Sequence, residues 1–342
     1  MSAICLRQMA RSRSPRFAWR SGPKSKILAE AQLEDREMIE ITLSILQVII
    51  ITAIAPLLSG IITKIKNNLR FRRGQSIFQP YYNFEKLFSK EEVISKHASW
   101  IFRVTPFIVL ASSVAASLMV PAFVSLAKTQ LAGDLLLLIF LFSLGRFFLA
   151  LAALDTGSSF GGMGSSREMF ISSLAEVTAI LSIFAVCLNL GTTNLGAISL
   201  HSAVKLSNII AAGSLFMVIL AETSRIPIDN QETHLELTMI HEAMVLEYSG
   251  RSLALIEFAS YIKQIVFFSL IGTILMPAFI STSLVHNFTV FSAYAVKLLA
   301  LCVLVSFIEV HLAKMRLFRA VDFFSFSFVL ALVAIILAVL GV

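Results

Sequence analysis

Residues Ile41–Ile65 read ITLSILQVIIITAIAPLLSGIITKI, and this stretch decides the class of the molecule. It is long enough to cross a hydrocarbon core of about 30 Å as a helix. Its one charge, Lys64, stands next to its end. In lipid every backbone N–H and C=O must be paired within the segment, so such a run is helical. Further runs follow at Ile101–Val124, Leu131–Leu154, Met169–Leu190, Leu206–Ala221, Tyr261–Ile280, Phe291–Val310 and Phe323–Val342. The expectation is an all-α integral membrane protein of about eight transmembrane helices, with amphipathic helices in the loops on one side. The fifth run is short and flanked by polar residues. The alternating ten-residue segments of an outer-membrane barrel are absent. No internal repeat of the kind that marks many transporters is legible.

Composition agrees with that class. The chain has 342 residues, of which 57% are hydrophobic and only 14% charged. A soluble domain carries about 25% charged residues, so a water-facing surface all round is excluded. Cys5, Cys187 and Cys302 are scattered. They cannot supply the four thiolates of an iron–sulfur cluster, and neither CxxC nor a haem-attachment motif is present. No redox centre is expected in the chain itself.

The loop charges orient the spans. Lys64, Lys66, Arg70, Arg72, Arg73, Lys86, Lys90 and Lys96 follow the first span. Arg167 lies in the third loop, Arg225 and Arg251 in the fifth, and Lys314, Arg316 and Arg319 in the seventh. The even loops hold little beyond Lys128 and Lys205. By the positive-inside rule the odd loops are cytoplasmic. The basic tail 1–37 then falls on the wrong side. Its Ser- and Arg-rich start has transit-peptide composition. A disordered tail and a true start at Met38 are both open, and the charge conflict favours Met38. The domain reading is a basic tail over 1–37 and an eight-helix membrane domain over 38–342.

The loops hold the chemistry. In the first, Pro80 can open a helix, placing Tyr81, Phe84 and Phe88 on one face with Lys86 and Lys90 off it. This predicts a short interfacial helix, either a collar on the membrane surface or a docking floor. In the third, Asp155–Gly164 is glycine-rich but lacks phosphate-loop spacing. Ser165 and Glu168 have capping-box spacing, predicting the start of the fourth span. Glu176 lies two turns inside that span, about 12 Å deep by helical rise. A mid-helix carboxylate costs about 2.5–3.5 kcal/mol on insertion scales. It is read as a protonatable relay, or else as a packing residue paired with Lys263 or Lys297. In the fifth loop Asp229, Glu232 and Glu236 share one helical face. Asp229 and Glu232 also fit a cap after Pro227. Glu222, Glu242 and Glu247 add further acids, while His234, His241 and Glu242 do not form HExxH, so no zinc site is expected.

The stretch AETSRIPIDNQETHLELTMIHEAMVLEYSG, from Ala221 to Gly250, closely resembles the family of formate hydrogenlyase subunit 4 and hydrogenase-4 component C. More distantly it is similar to the quinone-chamber subunit of respiratory NADH dehydrogenase, subunit 1 or H. Arg72–Tyr82, Asp155–Glu176 and Ala313–Arg319 agree in order, so the resemblance runs from about Ile45 to Arg319. His234 where that subunit tends to have Glu, extra residues before Glu247-Tyr248, and Gly74-Gln75 in place of Gly-Pro favour the hydrogenase branch.

The resemblance implies a non-redox membrane subunit of a nickel–iron hydrogenase-type oxidoreductase complex, in a bacterial or archaeal plasma (inner) membrane. It implies a proton path through Glu176, Glu222, Asp229, Glu232, Glu236 and Glu247, with Arg225 matching the family's loop arginine. It implies a docking floor for a soluble arm in the odd loops, which Arg72, Arg73 and Arg225 would serve. Implied partners are soluble iron–sulfur and hydrogenase-like subunits on the cytoplasmic face and antiporter-like membrane subunits, in lipid, with no nucleic acid. Iron–sulfur clusters and a nickel–iron centre would then belong to those partners, with no cofactor here. The alternatives are the quinone-chamber subunit of a NADH dehydrogenase-like complex and, from another class, a stand-alone ion carrier.

Overall fold

The computed structural model describes residues 23–95, 97–120, 133–201, 205–226, 229, 240–275, 284–313, 315 and 317–341. Residues 1–22 of the basic tail, and Glu232, His234 and Glu236, lie outside the described residues. The chain divides into Met1–Leu43 and Ser44–Val342. In the first unit the described residues are helical from Pro23. The membrane-spanning segments all belong to the second unit.

The described elements are all helical. They are α1 (Pro23–Leu69), α2 (Gln79–Phe88), α3 (Trp100–Met119), α4 (Leu135–Asp155), α5 (Ser159–Leu190) and α6 (Leu195–His201). Then come α7 (Leu206–Glu222), α8 (His241–Val245), α9 (Gly250–Leu275), α10 (Leu284–His311) and α11 (Leu317–Leu340). Among the described residues seven helices are long and apolar enough to cross a membrane: Ser44–Leu69, α3, α4, α5, α9, Phe291–His311 and Arg319–Leu340. The eighth expected span is α7, a shorter apolar helix of 17 residues. Most of one face of α7 is buried against α5, α9 and α11, so protein rather than lipid surrounds much of it. Large apolar side chains elsewhere point outward, including Phe107, Phe140, Phe184, Phe307, Phe326 and Ile336. A water-soluble monomer rarely shows so continuous an apolar surface, whereas lipid requires one.

Two span boundaries differ from expectation. The fourth span begins at Ser159, where the Ser158 hydroxyl accepts from Gly161 N. Ser165 lies inside the helix, buried, and donates to Gly162 O, so Ser165 and Glu168 are not its cap. The sixth begins at Gly250 rather than Tyr261. In both cases a polar first turn hid a helix that packs against protein, which a hydropathy window does not detect.

Successive helices alternate direction, and cross-links at each end show it. At the odd-loop end, Ser99 N at the start of α3 donates to Asp155 at the end of α4 over 2.7 Å. Val93 and Ser249 exchange hydrogen bonds there. At the even-loop end, Asp134 and Asn194 form an isolated bridge, and Gln47 Nε2 donates to Val120 O.

The odd-loop end is built to close tolerances. Helix α2 opens with Pro80 in its first turn, as its sequence predicts. Tyr81 donates to Ala53 O, and Phe84 meets Phe258 and Tyr261 edge-on at 5.4 and 5.7 Å. Leu87, rather than the exposed Phe88, continues that face, because three-residue steps from Tyr81 and Phe84 reach 87. The short helix α8 packs on α5 at Gly164, where a Cβ would stand 2.8 Å from that of Ala243. Tyr248 stacks on Phe102 at 4.0 Å and donates to its carbonyl. Gly250 turns with φ +54 beside Glu91 O, a conformation that glycine adopts without steric cost.

Candidate functional site

Arg146 is the centre of the site, and hydropathy alone hides it inside the third span. It lies on α4, buried, nine residues before Asp155 (155 − 146). Its guanidinium reaches Glu222 at the end of α7 with one nitrogen and Glu176 on α5 with another. Ser143, one turn away on α4, also donates to Glu176. Lys263 on α9 contacts the other oxygen of Glu222 at 2.7 Å. Four helices thus contribute one chain of alternating charge: Lys263, Glu222, Arg146, Glu176. Glu168, two turns before Glu176, stands in the field of Arg146 and Lys263.

The two carboxylates are not equivalent. The Glu222 side chain is 5% exposed and that of Glu176 is 35% exposed. Glu176 is 17 residues into α5 (176 − 159), or about 25 Å along it, deeper than a helix starting near Glu168 would place it. The expected partners Lys263 and Lys297 are not its cation; Arg146 is. A fork-shaped guanidinium can hold two carboxylates at once, which an ammonium does less well.

A second buried cluster lies nearby. Helix α7 ends at Ser224, whose φ of 52 is left-handed, and Arg225 N then bonds Leu220 O. A non-glycine residue in that region is strained. The turn sends Arg225 back into the bundle. There it bonds Glu309 on α10 at 2.7 Å and Gln264 on α9 at 3.0 Å. Lys66 on α1 holds the other Glu309 oxygen at 3.1 Å. Arg225 is therefore buried, while Arg72 and Arg73 are exposed on the first odd loop.

The remaining residues divide in the same way. Asp229 is buried and accepts from Ile240 N and His241 N, each at 3.2 Å. It closes the segment 229–241 and fixes the start of α8. Glu247 is half-buried on the turn after α8, away from the cavity that separates the two clusters.

That cavity has a volume of about 60 Å³. Arg146, Glu222 and Lys263 line it, and so do Arg225, Gln264 and His241. Burial holds the His241 imidazole below its ordinary pKa, with the Glu242 carboxylate opposing. The ring is therefore neutral at pH 7. Such a site can store and pass protons between carboxylates held in fixed geometry. Sequence reasoning named Glu176 and Glu222 but missed Arg146, Glu309 and Gln264. A charged or amide residue inside an apolar run was the available signal.

Comparison with known proteins supplies the family. The profile described as NADH dehydrogenase matches residues 41–339. Hydrogenase-4 component C of Escherichia coli is 33% identical over 82% of this chain and 91% of its own length. Formate hydrogenlyase subunit 4 of the same organism is 29% identical over 68% of this chain and 76% of its own. In fold, the chain matches a chain of the membrane-bound sulfane sulfur reductase, an archaeal respiratory membrane complex. The TM-score is 0.77 at 20% identity, covering 87% of this chain and 99% of that one.

Proposed function

This chain belongs to the NADH dehydrogenase subunit 1 family, and from that premise we propose that it anchors a soluble redox arm and couples it to proton movement. The complex we propose is of the nickel–iron hydrogenase type. Coverage of nearly the whole of hydrogenase-4 component C supports that branch. More generally the chain is a multi-pass membrane subunit of a respiratory oxidoreductase complex. The redox centres sit in partner subunits, and none is needed here. Arg72 and Arg73, exposed on the odd-loop side, belong to the floor on which the arm docks.

One observation carries the coupling: the buried chain Lys263–Glu222–Arg146–Glu176 across four helices. Burying charge in a bilayer is costly, and intramembrane ionisable groups mark proton or ion pathways. Packing alone would be served better by apolar residues of the same volume. Glu222 takes a proton from the odd-loop side. Arg146, shared between both carboxylates, makes the charge of one depend on the charge of the other. Glu176 holds the proton at depth. His241, neutral and in the cavity wall, can accept a hydrogen bond there.

The test uses the intact complex, purified in mild detergent and returned to vesicles, with co-purifying subunits identified. Glu222→Gln and Glu176→Gln keep size and hydrogen bonding but not the exchangeable charge. Both variants are expected to assemble and to transfer electrons, with proton-gradient formation reduced, more in Glu222→Gln. Normal gradients in both variants would make these glutamates packing residues.

A further inference from the structure

The cavity between the clusters requires a particular kind of occupant. Among the described residues, Arg225 Nε and Gln264 Nε2 are buried without a hydrogen-bond partner, Gln264 being 4% exposed. A buried donor left unpaired costs about 1–3 kcal/mol, so an acceptor belongs beside them. The lining hydroxyls of Ser112, Ser113 and Ser260 already donate to carbonyls of their own helices. What they have left is lone pairs, which need a donor. An anion or a carbonyl compound can only accept. Water both accepts and donates. Some 60 Å³ is available, where one water needs about 10–15 Å³ and two to four polar partners.

We propose that hydrogen-bonded water fills this cavity and joins the two ionic clusters into one network, with Glu309 as its further protonation station. The inference rests on the proton-coupling reading and adds a branch to it. Glu309 lies two residues before the end of α10 (311 − 309), and Lys66 three before the end of α1 (69 − 66). The branch therefore opens at the odd-loop ends of α1 and α10, away from Glu176. Glu309 is 3% exposed and held by both Lys66 and Arg225. The step involves only O–H bonds. Each water takes a proton from one neighbour and releases another to the next, and the carboxylate of Glu309 becomes the neutral acid. Its grip on Lys66 and Arg225 loosens as it does so. A merely structural Glu309 would neutralise those cations and nothing more.

Two substitutions test this in the intact complex in vesicles, scored for electron transfer and for proton-gradient formation. Glu309→Gln is expected to leave electron transfer unchanged and to slow gradient formation at least about tenfold, the scale of a lost proton-transfer group. The gradient's pH profile should shift with it, which a packing role would not produce. Gly145→Ala removes no charge. Its new Cβ would stand 2.8 Å from Ser112 Oγ, and both residues line the cavity. It should displace water and give a several-fold loss. A normal gradient in Glu309→Gln, with Glu222→Gln impaired, overturns this inference and leaves the proposed function standing. Normal gradients in both overturn both. If Glu309→Gln fails to assemble, an unaltered gradient in Gly145→Ala overturns the water link.

Discussion

Helices α5 and α7 meet twice, and the two meetings differ in kind. Toward the odd loops they carry Glu176 and Glu222, joined through Arg146 of α4. Toward the even loops the same helices touch through neutral groups. Ser182 and Ser214 share a hydrogen bond at 2.9 Å, and Ser214 and Ser327 of α11 bond each other's carbonyls at 2.7 and 3.0 Å. One turn or two further on, Asn189 donates to Ser207 and Asn208. Neutral hydroxyls and amides are enough to hold helices together in lipid, at well under 2 kcal/mol per bond. If adhesion were the purpose at both ends, charges would not be needed at one. The contrast teaches that the ionic chain is kept for what charges alone can do.

The largest test of that contrast is Arg146→Leu. It leaves Glu176 and Glu222 with one fewer cation in a buried setting, and breaking such a pair costs about 3–5 kcal/mol. The subunit should fail to accumulate, or should melt far below the wild type in detergent. Arg146→Lys keeps the charge but not the fork, and should fall between. Wild-type thermal stability of Arg146→Leu would mean that the cluster is not a coupled unit.

Ser214→Ala probes the other end. The expected loss is about 0.6 kcal/mol, the mean for hydrogen bonds between membrane helices, with gradient formation unchanged. A strong coupling defect there would erase the distinction between the two meetings.

The smallest effect is a change of slope. His241 has its pKa held below the unfolded value. As pH falls through about 6.5 the unfolded chain takes up a proton that the folded chain resists. Stability is therefore full above the unfolded pKa and declines with acid. Melting profiles of the complex from neutral to acidic pH should fall less steeply for His241→Gln than for wild type. Equal slopes would place the ring in contact with bulk water.

How much could be read beforehand varies from residue to residue. The apolar runs announced spans because lipid demands internal backbone pairing, and Pro80 announced α2 because its ring suits a first turn. Glu176 and Glu222 stood out because a carboxylate inside an apolar run is expensive. The starts of α5 and α9 did not stand out. Their first turns are polar and pack against protein, so local hydropathy misreads them as loops. Asp229 read as a local cap, whereas it closes a segment ending at Ile240 and His241, eleven and twelve residues on.

The sequence by itself determined the solvent of this protein, the alternation of its helices and the identity of two carboxylates. Each of these comes from composition along a single segment. Only the tertiary structure decided which cation each carboxylate meets. Arg146 is 30 residues from Glu176 and 76 from Glu222, and Arg225 is 84 from Glu309. No spacing rule spans such distances. The pairs exist because antiparallel helices return to the same depth, where a charge must find its opposite or be excluded from the bilayer.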